Sequence, residues 1–236
     1  MEEKEKSLVD VAYERIRQQI CDFELVPGQP VSDFILSKSL GMSRTPIRMA
    51  LQKLEDEHLV EPGRQGQSHV VSGITAEDIT DLLDARCGLE LTALRLLMHK
   101  GISQEDIDYL YKINQRMAEA NDAGHIRQQF FYDQKFHDRI FYLSGNTRLN
   151  RFNDSLNPQL IRMRVLSYLE RSFQDKAYRE HGMIIDMIAQ NNEARAVEIL
   201  KDHIVSTKTN YIAILNNRLN TESIGVLSFA MTHDMQ

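Results

Sequence analysis

Asp133, His137, His181 and His203 are the side chains of this chain best suited to hold a metal ion. Projected at about 100° per residue, Ile126, Phe130, Ile140 and Phe141 form one apolar stripe, and Asp133 and His137 fall in its middle. A carboxylate and an imidazole four residues apart on a helix point the same way and can share one ion. His181 lies on the face of Ala177, Ile184, Ile185 and Ile188, and His203 shares a side with Ala196, Leu200 and Thr207. Three stretches therefore turn ligand-type groups inward. Burying four such groups without partners costs several kcal/mol, and a shared cation removes that cost. Three nitrogens and one oxygen suit Zn²⁺, Ni²⁺ or another divalent first-row ion, with positions left for water or a carboxylate. The competing reading is a set of core residues satisfied by ordinary hydrogen bonds, and spacing alone does not decide between the two.

A second chemistry lies near the N-terminus. Residues 34–54 carry Lys38, Arg44, Arg48 and Lys53 and no carboxylate, in a chain whose net charge is -6. That overall charge argues against unspecific coating of nucleic acid, so a polyanion must be met locally. The stretch contains Gly41-Met42-Ser43-Arg44-Thr45-Pro46-Ile47-Arg48, which has the form of the turn and second helix of a helix-turn-helix. Gly41 permits the tight corner. Ser43 is a helix-starting residue, and Pro46 sits in the first turn, where a missing N–H matters little. Leu51 and Leu54 face inward, while Arg44, Thr45 and Arg48 lie near the exposed N-terminal end. A recognition helix enters the major groove by that end, where arginine reads a guanine edge or holds a phosphate.

The elements that must position these groups follow from periodicity. Leu8, Ala12, Ile16 and Ile20 predict an amphipathic helix over 7–23, ended by Val26-Pro27-Gly28-Gln29-Pro30. A short helix over 34–40 and a third ending near residue 57 follow. Strands at 59–61 and 67–71 then flank a turn at 62–66, giving a hairpin with a basic, glycine-containing tip, a wing. Beyond Ser72-Gly73 the pattern is helical almost throughout. Thr75 and Asp78 form a capping-box-like start with Asp in the Glu place. Helices are predicted near 77–99, 104–120, 125–144, 148–169, 176–190 and 193–218, with a kink at Pro158. The fold class is mainly α: a winged helix-turn-helix over 1–73, an all-helical bundle over 74–220, and a tail, 221–236, without clear pattern. About 145 helical residues suffice for a substantial core.

Hydrophobic content of 42% with 26% charge is ordinary for a globular protein. No apolar run reaches the length of a membrane span, and residues 1–6 lack the apolar segment of a secretory signal. Cys21 and Cys87 stand alone, which fits a reducing cytoplasm and buried thiols.

At this point the chain resembles the GntR family of bacterial transcriptional regulators. The matching residues are Leu25, Pro27 and Gly28, then Leu40 to Leu51 with Met49 unmatched, then Leu54-Glu55, Leu59-Val60 and Gly66. The resemblance implies that Ser43, Arg44, Thr45 and Arg48 belong to the contact with operator DNA and that a wing tip containing Arg64 and Gly66 enters the minor groove. Two departures stand out. Phe34 occupies roughly the place of a charged residue early in the second helix, and His58 replaces a glycine before the Leu59-Val60 strand.

Residues 75–218 resemble the FadR C-terminal (FCD) type of effector domain. The matching pieces are Asp84-Ala85-Arg86 with Leu89-Glu90, Asp133 with Phe136-His137, Gly145-Asn146, Glu180-His181 with Ile184, and Ala194, Ala196 and His203; Val197 stands where alanine is commoner. The resemblance implies a six- or seven-helix bundle in which Asp133, His137, His181 and His203 bind one divalent ion, zinc or nickel. That ion helps hold a small organic acid. Members without the metal bind acyl-CoA, and this chain keeps all four ligands. Arg86 and Asn146 are weaker candidates for the effector's carboxylate, since the arginine fork bonds it bidentately. Their alternatives are an ion pair with Glu90 and a helix cap. Arg162 and Arg164 are further candidates.

The expectation is a cytoplasmic homodimer that binds double-stranded operator DNA, acts as a repressor and answers to a small carboxylate metabolite, with no membrane partner. A regulator that senses the metal itself is one alternative. A metal-dependent hydrolase is a weaker one, because Glu180 is the nearest candidate base and no HExxH motif is present.

Overall fold

Each helix of the N-terminal region is bounded by residues whose local chemistry ends the backbone ladder. Ser7 caps α1 (Leu8–Cys21) by accepting from the Asp10 amide, and Ser32 caps α2 (Asp33–Leu40) by accepting from Phe34. Gly41 closes α2 in the left-handed region at φ 65°, which makes the corner leading to α3 (Arg44–Asp56). Ser43 occupies the N-cap of α3 with extended backbone, but its hydroxyl makes no capping bond. His58, where a glycine was expected, takes φ 56°. The backbone keeps the glycine-like turn, and a side chain there carries the steric penalty of that region, ~1 kcal/mol.

The computed structural model describes residues 6–218, except 23, 64–68, 165 and 167–170 and the side chains of 164, 171–175 and 218. A three-stranded antiparallel sheet joins β1 (Pro30–Val31), β2 (Val60–Pro62) and β3 (His69–Val71) in the order β1-β3-β2. Val60 pairs with Val71 and Pro62 with His69, while Pro30 pairs with Val70. The hairpin was legible in the sequence. The two-residue β1 was not, because Pro27 and Pro30 read as a helix stop. Arg64 and Gly66 lie outside the described residues, as does the tail. Ala12, Ile16 and Ile20 of α1, Leu36 of α2 and Ile47, Ala50, Leu51 and Leu54 of α3 close one core against Val60 and Val71.

A second, larger core fills the helices α4 (Ala76–Lys100), α5 (Gln104–Asp122), α6 (Ile126–Leu143), α7 (Thr147–Arg164), α8 (Arg171–Ala189) and α9 (Glu193–Arg218). Helix α5 packs against α6 and α8, α9 packs against α4 and α8, and α7 packs against α4, α6 and α1. Leu94, Phe136, Ile140, Ile184 and Leu200 are fully buried, each such side chain contributing about 1.5–3 kcal/mol. Pro158 lies inside α7, and the end expected near residue 169 lies outside the described residues. None of the described helices is long and apolar enough to cross a membrane.

Thr75 starts α4 with the reciprocal box expected of it. Its hydroxyl accepts from the Asp78 amide, and the Asp78 carboxylate accepts from the Thr75 amide at 2.9 Å. Thr75→Ala should therefore lower stability by ~1 kcal/mol, seen as a lower urea midpoint of the full chain. An unchanged midpoint would mean that the cap contributes nothing.

Candidate metal centre and nucleic-acid interface

On the N-terminal face the structure adds a partner that the basic window hid. Asp33 stands one residue before that window. It is 6% exposed and accepts hydrogen bonds from two arginines of α3. Arg44 bonds it through Nε at 3.2 Å and Nη2 at 2.9 Å, and Arg48 bonds it through Nε. The Arg44 hydrogen bond, helped by that of Arg48, holds the Asp33 carboxyl below the usual carboxylate range against the opposing effect of burial. Both guanidinium groups remain more than half exposed. One carboxylate on α2 thus fixes two arginines on α3, each still more than half exposed. Thr45 and Ser43 are exposed beside them. Phe34, half exposed, carries the Lys38 ammonium over its ring at 4.2 Å.

Within the bundle, three helices bring the inward groups of the sequence together. Asp133 and His137 come from α6, His181 from α8 and His203 from α9, and one ligand atom from each lies within 4.8 Å of all the others. The Nε2 atoms of His137 and His181 stand 3.8 and 3.7 Å from Asp133 Oδ1, and the Nε2 atoms of His181 and His203 are 3.4 Å apart. All three imidazoles are nearly or fully buried. Phe136 stacks on His181 at 3.9 Å between centroids and fixes its ring plane.

The outer nitrogens define the tautomers. His137 Nδ1 faces the Glu90 carboxylate, and His203 Nδ1 faces Glu180 Oε2 at 2.8 Å. With each Nδ1 turned to a carboxylate, each Nε2 faces inward, where a neutral imidazole presents a lone pair. Burial, then the neighbouring His203 and His137, push the His181 imidazole well below its ordinary range, which leaves it neutral. Burial alone would raise the Glu90 carboxyl, but His137 and Arg86 together hold it low. His137 Nε2 has no hydrogen-bond partner among the described residues. Lone pairs and a carboxylate oxygen pointing at one another repel unless a cation sits among them, so this donor set fits a divalent ion.

The centre opens on one side to a cavity. Asp133, His137 and His203 line it together with Arg86, Gln129, Lys176, Glu180, Ser206, Thr207, Asn210 and Tyr211, and Met117, Phe130 and Ala177 supply the apolar part. Arg86 is 5% exposed and bonds Glu90 through Nε at 3.1 Å, while its buried Nη2 has no partner among the described residues. The Arg86–Glu90 pair was one of the sequence alternatives, and the structure shows that it does not consume the whole guanidinium. Asn146 is not brought to this cavity. Its Oδ1 accepts from the amides of Arg148 and Leu149 and caps α7. Arg162 also turns away and bonds backbone carbonyls between the two cores, and the Arg164 side chain lies outside the described residues.

Sequence reasoning undervalued Glu90 and Glu180. Glu90 entered only as a partner for Arg86, although a carboxylate on the buried face of α4 between Leu83 and Leu94 needs a cationic neighbour. Glu180 entered as a candidate base, and the structure occupies it with His203 and with Lys176 at 3.1 Å.

Comparison with known proteins agrees with this division. Residues 8–71 match the model for bacterial regulatory proteins of the gntR family, and residues 81–206, more than half of the chain, match the FCD domain. The chain belongs to the GntR family of transcriptional regulators, in its FCD branch, and is a DNA-binding regulator rather than an enzyme. It is 27% identical over 199 residues to the HTH-type transcriptional regulator YdhC of Bacillus subtilis, covering 82% of this chain and 84% of that one. It is 25% identical over 199 residues to the gluconate operon transcriptional repressor of the same organism, covering 81% and 79%. The solved structure of Escherichia coli McbR/YncC has the same fold, with a TM-score of 0.74 at 19% identity over 92% of this chain and all of that one.

If Asp33 orients the two arginines, Asp33→Ala should leave unspecific DNA binding intact or stronger, because one negative charge is lost, while narrowing the gap between a selected duplex and a scrambled one. Titration of both duplexes at one salt concentration measures this, and an unchanged gap would remove Asp33 from the reading apparatus.

Proposed function

We propose that this chain is a repressor acting as a cytoplasmic homodimer, whose hold on double-stranded operator DNA is set by a small carboxylate metabolite bound beside a divalent ion in the helical bundle. The observation that carries the effector part is the buried Nη2 of Arg86, which among the described residues lacks a partner and stands on a cavity also lined by Asp133, His137 and His203. A guanidinium edge beside candidate metal ligands is complementary to a carboxylate. Asp133, His137, His181 and His203 would hold the ion, with zinc or nickel best matched to three nitrogens and one oxygen. When bound, the ion supplies Lewis-acid attraction for an oxygen of the metabolite. Glu90 and Glu180 orient His137 and His203, and Lys176 adds a second cation at the cavity wall. Arg86, Lys176, Ser206, Thr207 and Asn210 on the cavity wall supply hydrogen-bonding partners for a small hydroxylated or dicarboxylic acid.

On the DNA side, Arg44 and Arg48 read base edges or phosphates with Ser43 and Thr45 beside them, and Arg64 and Gly66 of the wing tip reach the minor groove. A two-fold dimer presents two recognition helices to a pseudo-palindromic site. Metabolite binding changes operator affinity through a coupling of ~1–3 kcal/mol.

Two measurements test this reading. Elemental mass spectrometry on protein purified without chelator or nickel resin should find about one ion per subunit in the wild type and none in His181→Ala. Absence of metal from both, even after zinc is added, would make the histidines core residues and leave the effector reading without its anchor. Arg48→Ala should weaken binding to a duplex selected from a random pool by ~1–3 kcal/mol, and full affinity in that variant would exclude Arg48 as a reader. The metal-sensing alternative predicts that zinc alone, without any organic acid, shifts operator affinity.

A further inference from the structure

Arg162 lies on α7, in the bundle, yet its bonds leave the bundle. Nη1 donates to the carbonyl of Ser72 at 2.8 Å and Nη2 to that of Gly73 at 3.0 Å. These two residues connect β3, the last strand of the DNA-binding region, to Thr75, which starts α4. The side chain is 2% exposed, and among the described residues no carboxylate pairs with it. Its Nε, also buried, has no partner there. Burial draws the guanidinium below its ordinary pKa, against the opposing charges of Asp78 first and then Cys21 and Glu61.

Burying a cation with two carbonyl dipoles as its chief compensation is unfavourable, and an apolar side chain of similar length would fill the same space without that penalty. What the guanidinium adds is direction. Its planar fork spans two successive carbonyls at once, which the point charge of a lysine does not. A second attachment lies nearby, where Arg127 at the start of α6 approaches Asp22, just past the end of α1, at 3.7 Å. Helix α1 also packs on α7. Helices α6 and α7 are themselves tied, since Asp138, next to His137, accepts from Asn153 at 2.7 Å.

We infer that Arg162 is a positioning residue for DNA binding: it pins the connector at Ser72 and Gly73 to α7, so that the winged helix is held at a set orientation on the bundle, with Arg127 and Asp22 as a weaker second point. The inference rests on the chain binding DNA and not on the metal centre. A homodimer reading two half-sites needs that orientation, because each recognition helix must meet its groove at a fixed separation.

The test uses the full-length chain with Arg162→Met, which keeps the stem, and Arg162→Lys, which keeps the charge. The readouts are helical circular dichroism, zinc uptake, affinity for a duplex selected by the wild type, and amide hydrogen exchange resolved along the chain. Both variants should keep their helicity and zinc uptake. Both should bind the selected duplex about tenfold more weakly, within the range by which residues touching no ligand alter coupling, with Arg162→Lys nearer the wild type. Exchange should quicken in the connector around 72–75 and not across α4 to α9. Wild-type affinity in both variants would overturn the inference. So would global unfolding of both, or faster exchange spread through the bundle, since Arg162 would then be a general requirement of folding. Should the wild type select no duplex, the DNA-binding reading fails on its own, and the connector's exchange still decides whether Arg162 pins it.

Discussion

The bundle depends on two carboxylates, the buried Glu90 and the partly buried Glu180, each facing the outer nitrogen of an imidazole. Without them His137 and His203 would be free to turn, and their inner nitrogens would have no reason to converge. With them, His137 and His203 face each other across Asp133 and His181 in fixed tautomers. The arrangement also dictates which helices must be neighbours. Glu90 ties α4 to α6, and Glu180 ties α8 to α9. A polar cluster of this kind is unfavourable when half satisfied, so the packing around it has little latitude. Phe136 stacked on His181, and fully buried Ile184 and Leu200, supply the apolar walls that keep water from the closed side.

The DNA-binding region repeats the logic with opposite charge. There a single acidic group, Asp33, gathers two arginines, and the positive ends are presented outward rather than in. In both places a carboxylate set behind the exposed or inward-facing groups determines how those groups point. The two regions are joined by a short connector whose carbonyls belong to β3's side of the chain and whose grip belongs to α7.

Helix positions were legible in the sequence because burial imposes a 3.6-residue period, and α4, α5, α6, α8 and α9 begin or end within a few residues of the expected places. Asp133, His137, His181 and His203 were legible for the same reason, since a polar residue on an apolar stripe stands out against it. Asp33 was not, because its meaning lies in a pairing eleven and fifteen residues away across a turn, which periodicity does not encode. Arg162 was assigned a carboxylate because arginines favour carboxylates, whereas the structure gives it backbone carbonyls that no sequence pattern marks. Asn146 had two readings, and the local one, a helix cap, is the one the coordinates display.

The ligand cluster draws on α6, α8 and α9, and its supporting carboxylates on α4 and α8, so it spans nearly the whole bundle from Glu90 to His203. Contacts so distant in sequence close late, after the loop entropy between them has been overcome. During synthesis His203, the last member of the cluster, leaves the ribosome only when most of the chain is already outside, so a product truncated before it lacks a complete donor set. If the cluster takes an ion, its capture would be a property of finished molecules alone, and scarce metal would not be drained by partly made ones.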